Sequence, residues 1–139
     1  MAILDEQRRD RGMAMLFITH DLDLAAAVTD RLAVMVAGVV VETARARDLQ
    51  TRAEHPYSAG LLAARPSTER VERLVAIPGR PMSAFEAGPG CVFAGRCRFA
   101  QERCRVERPQ PHAVADHVVS CHRSDELRST LHEQMEVLR

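Results

Sequence analysis

Four cysteines, Cys91, Cys97, Cys104 and Cys121, and one histidine, His20, are the residues of this 139-residue chain best suited to do chemistry. The cysteines follow the spacing C-x5-C-x6-C-x16-C. That spacing lacks the C-x2-C knuckle of zinc ribbons, so a structural zinc is not its first reading. Four thiolates suit a [4Fe–4S] cluster, which cysteines ligate in varied spacings. Arg96, Arg98, Arg103 and Arg105 are expected to offset the charge of such a cluster and to hydrogen-bond its sulfurs. The alternatives are zinc on the same thiolates, with His112, His117 and His122 as substitute ligands, disulfide pairing, or free, partly buried thiols. His20 follows the apolar run Met13–Thr19. At the carboxyl end of a buried strand, a histidine can donate to a phosphate oxygen or steer a water. A surface or capping histidine is the plainer reading of the same position.

Composition removes several function classes. The chain has 19 arginines among its Lys+Arg total and no lysine. It therefore contains no G-x-x-x-x-G-K-[ST] phosphate-binding loop, whose lysine must reach the β- and γ-phosphates. It also offers no Schiff-base or kinase-type lysine. The formal net charge is zero, which gives no global pull toward nucleic acid or an anionic membrane. The arginines between positions 96 and 108 are interleaved with Phe99, but Glu102 and Glu107 dilute them, so nucleic acid is not an expected partner. No run of apolar residues is long enough for a transmembrane helix, and direct membrane insertion is not expected. The start of the chain turns charged after four residues, unlike a signal peptide, which makes a cytoplasmic location the expectation. In that compartment cysteines serve as metal ligands or free thiols more often than as structural disulfides.

The elements that must position these residues can be read from apolar patterning. A short helix is expected from Ile3, stopped by Gly12, with Arg8, Arg9 and Arg11 in its last turn. Met13–Thr19 reads as a strand buried on both faces. Asp21 caps a helix through Asp30. Residues 31–37 and 39–43 read as a hairpin turning at Gly38. Short helices follow over 45–52 and from Pro56 through Ala64, with Pro56 at the first helical position. Four of the seven prolines and three of the seven glycines fall between Pro66 and Gly90, which marks a loop-rich crossing into a second unit. Leu127, Leu131, Met135 and Leu138 give the last segment, 125–138, an amphipathic helical period.

Several of these segments, in order, resemble one family. Met15-Leu16-Phe17-Ile18-Thr19-His20-Asp21-Leu22 and the stretch from Asp30 to Glu42 are similar to the tail of an ABC-transporter ATPase domain. His55-Pro56-Tyr57-Ser58-x-x-Leu61-Leu62 resembles the HPYT signature of the ATP-binding subunits of oligopeptide and dipeptide importers. Ile77-Pro78-Gly79-x-Pro81, Gly90-Cys91-x-Phe93-x-x-Arg96-Cys97, Cys104-Arg105-x-Glu107-x-Pro109 and His117-x-Val119-x-Cys121-His122 resemble their C-terminal extension. The resemblance runs from about residue 3 to about residue 123.

The resemblance implies an α/β fold: a partial ABC-ATPase domain over residues 1–65, then a loop-rich, Cys-containing extension with a terminal helix over 66–139. It makes His20 the switch histidine that contacts the γ-phosphate of ATP, with Mg, in a complete ATPase. It also implies a [4Fe–4S] cluster on Cys91, Cys97, Cys104 and Cys121, with zinc as the alternative. The implied partners are membrane-spanning permease subunits and a second ATP-binding subunit, at the cytoplasmic face of the inner membrane.

No glutamine loop, LSGGQ signature or strand ending in Asp-Glu is found in the sequence. Leu4-Asp5-Glu6 resembles the helix after the D-loop. The expectation is a C-terminal part of a peptide-importer ATPase, incomplete as a catalyst, with an exposed and associating sheet edge. A free-standing iron–sulfur or zinc module and an inert gene remnant are the competing readings.

Overall fold

The computed structural model describes residues 2–65 and 76–136. Helix α1 spans Ala2–Arg11 and ends as its sequence dictates. Gly12 takes φ +60°, the Gly12 N–H donates to the Arg9 carbonyl at 3.2 Å, and the Met13 N–H donates to the Arg8 carbonyl at 3.0 Å. These two bonds are the Schellman pair that satisfies carbonyls at a helix end. Helix α2 spans Leu22–Val28, and the Asp21 carboxylate accepts the N–H groups of Asp23 at 3.0 Å and Leu24 at 2.9 Å.

Strands β1 (Arg31–Val36) and β2 (Val39–Arg45) form the expected hairpin. Ala37 and Gly38 both have positive φ, 46° and 78°, the pattern of a two-residue type I′ turn that matches strand twist. The register shifts between Val34 and Met35: Val34 pairs with Glu42, Met35 with Val40, and Val41 is the extra residue of a β-bulge. Val41 and Glu42 are consecutive and both buried, which strict alternation on a half-covered sheet does not give.

Helices α3 (Ala46–Thr51) and α4 (Pro56–Ala63) follow. After a 3-10 turn at Ala84–Glu86, the chain makes helix α5 (Glu102–Val106), strands β3 (His112–Val114) and β4 (His117–Val119), and helix α6 (Ser124–Glu136). The last two strands were not expected from the sequence. They join the first hairpin in one antiparallel sheet of order β1-β2-β4-β3, with Thr43 opposite Val118. The Ser120 N–H carries that ladder on to the Val41 carbonyl at 2.8 Å.

Among the described residues, two apolar clusters form the core. Leu32, Val34, Val36, Val41, Ala44 and Leu49 pack with Ala25 of α2 and with Val92 of the Cys-bearing loop. Leu62 and Ala59 of α4 pack against Leu127, Leu131 and Met135 of α6. Each fully buried leucine contributes about 1.5–3 kcal/mol relative to exposure.

One expectation is overturned. Met13–Thr19 is extended but belongs to no strand, and it is not buried: Leu16 is 88% and Ile18 85% exposed. A strand is stabilised by a neighbour that takes its N–H and C=O groups, and none of the four described strands runs beside this segment. Residues 66–75 of the crossing lie outside the described residues. Its later part, residues 76–90, has only the 3-10 turn as regular structure. The terminal helix matches its expected start within one residue, and its expected last turn lies outside the described residues.

Candidate functional site

His20 sits at the bend between the extended segment and α2, exposed to solvent. The Thr19 hydroxyl accepts the Asp21 N–H at 3.0 Å, and the Asp21 carboxylate caps α2, so the backbone on both sides of His20 is fixed by its neighbours. The imidazole is therefore presented outward. The buried strand expected to carry it is absent.

The polar centre of the fold is Glu42, which the sequence reading quoted only as the end of a motif. Its side chain is fully buried on β2. Oε1 accepts the Glu54 N–H at 2.8 Å and lies 2.7 Å from His117 Nδ1, while Oε2 accepts the His55 N–H at 3.1 Å. Burial alone would raise this carboxyl, but hydrogen bonds from His117 and the Glu54 backbone help hold its pKa below the ordinary value. Glu42 is thus an ionised carboxylate, and His117 Nδ1 carries the proton that it shares with it. His117 is on β4, opposite Val114 and two residues from the partner of Glu42, so one face of the sheet brings the pair together.

This carboxylate fixes the turn that starts α4. Its two backbone donors, Glu54 and His55, are the residues just before Pro56. His55 is the N-cap, its Nδ1 accepting the Tyr57 N–H at 3.0 Å. Burial pushes the His55 imidazole down to about 4, against an opposing pull from Glu42, so it is neutral at pH 7. The His55 and Tyr57 rings flank Phe93, with centroids 6.0 Å and 5.2 Å away. These edge and tilted contacts dock the Cys-bearing loop onto α4. Glu54 points the other way: its carboxylate accepts Arg128 Nε of α6 at 3.0 Å, and His132 Nε2 lies 3.3 Å away.

The four cysteines come together. All are unpaired, and all four line one small cavity of about 20 Å³ beside Phe99 and His122. Cys91 and Cys97 lie on the turns between Gly90 and Phe99, Cys104 on α5, and Cys121 just before α6. The Cys91 N–H donates to the Cys104 carbonyl at 2.8 Å. Burial pushes the thiols of Cys91, Cys97 and Cys121 up, the last to about 11, and the neighbouring thiols add to the rise. Among the described residues, no group of three or more His, Cys, Asp or Glu side chains is arranged to hold a single metal ion.

The expected supporting residues differ in part from those observed. Arg96 donates to the Pro78 and Ile77 carbonyls, Arg98 lies over the Phe99 ring at 4.7 Å, and Arg103 pairs with Glu107. The charge of Arg108 reaches Cys91, that of Arg123 reaches Cys97, and that of Arg103 reaches Cys104. The Arg123 N–H also points to Cys121 Sγ at 3.4 Å. Of the expected substitute histidines, His117 is engaged with Glu42 and His112 with Ser124 Oγ at 2.9 Å. His122 remains at the cavity, with Nε2 2.9 Å from the Glu107 carbonyl oxygen. Among the described residues no helix is long and apolar enough to cross a membrane.

Residues 41–104 match the family model described as the oligopeptide/dipeptide transporter, C-terminal region. The match begins beside Glu42 and ends at Cys104. The chain is 39% identical over 107 residues to the oligopeptide transport ATP-binding protein OppD of Haemophilus influenzae, covering 76% of this chain and 33% of that protein. It is 38% identical over 115 residues to the dipeptide transport ATP-binding protein DppD of Escherichia coli, covering 82% of this chain and 35% of that protein. With OppD of Mycobacterium tuberculosis the identity is 40% over 126 residues, covering 88% of this chain and 21% of that protein. The chain thus spans about a third or less of the relatives it matches.

Proposed function

We propose that the chain belongs to the oligopeptide/dipeptide transporter ATP-binding proteins through their C-terminal region and works in ATP-driven peptide uptake. The observation that carries this reading is the match over residues 41–104 to proteins named for peptide transport and ATP binding.

In this proposal the phosphate-binding loop and its magnesium lie outside these 139 residues, which contain no lysine. His20 supplies the contact to the terminal phosphate. An imidazole N–H there donates to a phosphate oxygen and responds to its loss on hydrolysis. Its exposed position at the start of α2 leaves it accessible to a nucleotide held by another segment or subunit. Membrane-spanning permease subunits and a second ATP-binding subunit are the proposed partners, which places the chain at the cytoplasmic face of the membrane. Residues 1–65 are assigned to the ATPase part and 66–139 to the extension.

The cysteines are assigned to a [4Fe–4S] cluster. The donor set fits: four unpaired thiols line one cavity. A cubane offers four separate irons, each taking one thiolate, whereas a single zinc needs four sulfurs about 2.3 Å from one point. Bound there, the cluster supplies a cross-link between the loop, α5 and the start of α6, and a one-electron centre. Arg108 and Arg123 hold positive charge beside the thiolates.

The direct test of assembly is affinity purification of the tagged chain from its own cells. Recovery of a permease and a subunit bearing a phosphate-binding loop is the expected result. A chain recovered without either contradicts the proposed partners.

A further inference from the structure

We propose that Gly90 and Arg108 form a clasp that sets Cys91 against Cys104 and so prepares the four-thiol cavity before any metal enters; this rests on the assignment of the cysteines to a metal site. Cys91 belongs to a segment without regular structure, while Cys104 is on α5. A ligand on a loop needs external support, because a metal site tolerates displacement of only about 0.5 Å.

Three contacts give that support. The first is the Cys91 N–H to the Cys104 carbonyl at 2.8 Å. The second is close backbone approach at the preceding residue. A Cβ at Gly90 would fall 2.3 Å from the Arg105 carbonyl oxygen and 2.7 Å from that of Cys104. Both are backbone atoms that cannot swing aside, so only glycine allows the loop to lie this close to the end of α5. The third is Arg108, beyond the end of α5, whose guanidinium reaches back to the loop. Its Nε donates to the Gly90 carbonyl at 3.4 Å and a terminal nitrogen donates to the Gly88 carbonyl at 2.5 Å. The planar fork holds both carbonyls at once, which a lysine ammonium would not match. Gly88 is the internal contrast, since a Cβ there meets nothing within 4 Å.

The test uses the full chain, reduced and metal-free, as wild type, Gly90→Ala, Gly88→Ala and Arg108→Gln. Iron(II) and sulfide are titrated anaerobically and the sulfur-to-iron charge-transfer absorption is read, since its intensity reports assembled cluster. Exchange of the Cys91 amide is followed in the same metal-free samples. Gly90→Ala is expected to raise the iron and sulfide needed for half-maximal absorption about 10–100-fold, with a band of lower intensity and faster Cys91 exchange. Gly88→Ala is expected to match wild type. Arg108→Gln, which leaves the backbone approach sterically free, is expected to fall between them and carries the test if Gly90→Ala loses the protected Ser120 amide of the sheet. Equal cluster assembly and equal Cys91 exchange in wild type, Gly90→Ala and Arg108→Gln would overturn the clasp. Absence of a charge-transfer band in every protein, with Cys91 exchange still faster in Gly90→Ala, overturns the metal assignment and leaves the clasp as a fold element.

Discussion

Glu42 of β2 and His117 of β4, 75 positions apart, share a hydrogen bond of 2.7 Å inside a sheet that excludes water from both. The same carboxylate also takes the Glu54 and His55 N–H groups. One side chain therefore ties the first hairpin to the start of α4 and to the second hairpin.

Removing that carboxylate leaves two backbone donors and an imidazole N–H buried without an acceptor. Glu42→Ala is expected to lower stability by about 3–5 kcal/mol, in the range for breaking a buried charged pair. Urea unfolding reads the effect. A loss below about 1 kcal/mol would show that water or a rearranged chain satisfies those donors instead.

Acid should destabilise the fold in two ranges with the same sign. His55 has its pKa lowered to about 4 from an ordinary value of 6.5, so between these values the unfolded chain binds the additional proton. Stability therefore falls as pH drops from 6.5 to about 4, by about 3 kcal/mol from this group alone. Glu42 has its pKa lowered from 4.5, so its contribution is present above 4.5 and is lost as pH falls further, through its folded value. His55→Asn keeps a side-chain acceptor at the N-cap and removes the titrating ring. Denaturation midpoints for this variant should be nearly flat between pH 6.5 and 4.5, and a slope equal to wild type would contradict the assignment to His55.

The terminal helix is held to α4 by more than its leucines. Arg128→Ala leaves the 2%-exposed Glu54 carboxylate without its guanidinium. Because Arg128 is itself 40% exposed, the expected cost is moderate, about 1–2 kcal/mol. Amide exchange within α6 should accelerate while exchange in β2 is unchanged. Uniform acceleration across the whole chain would mean that α6 does not open separately.

The exposed apolar segment before His20 is an association hazard. Leu16 and Ile18 present large side chains to solvent on an extended, unpaired backbone. The double variant Leu16→Asp, Ile18→Asp is expected to reduce concentration-dependent light scattering without lowering the unfolding midpoint. Unchanged scattering would assign any association to another surface.

Local signals were legible in the sequence where the chain satisfies itself nearby. Gly12 ends α1, Asp21 caps α2, Gly38 turns the first hairpin and Pro56 starts α4, and each is settled within four residues. The strand expected at Met13–Thr19 fails for the opposite reason: apolarity chooses an extended chain, but only a neighbouring strand completes it. The β3–β4 hairpin carried little signal because it is three residues on each side and turns at Ala115 (φ 52°) and Asp116 without a glycine. Of the candidate site, the four cysteines were legible as a set, and they do line one cavity. Their neighbouring cations were legible only in part, since Arg96 and Arg98 turn to carbonyls and a ring and Arg103 pairs with Glu107 beside Cys104, while Arg108 and Arg123 stand near Cys91 and Cys97. Glu42 escaped notice because a glutamate at the end of a strand motif reads as a surface residue until its partner on β4 is known.

The most direct measurement is uptake of a labelled tripeptide by cells whose gene for this chain is replaced by the His20→Ala variant or deleted, at equal permease levels. A role in ATP-driven peptide import predicts that both changes reduce the initial rate and that the wild-type gene restores it. Uptake unchanged in the deletion strain would contradict that role.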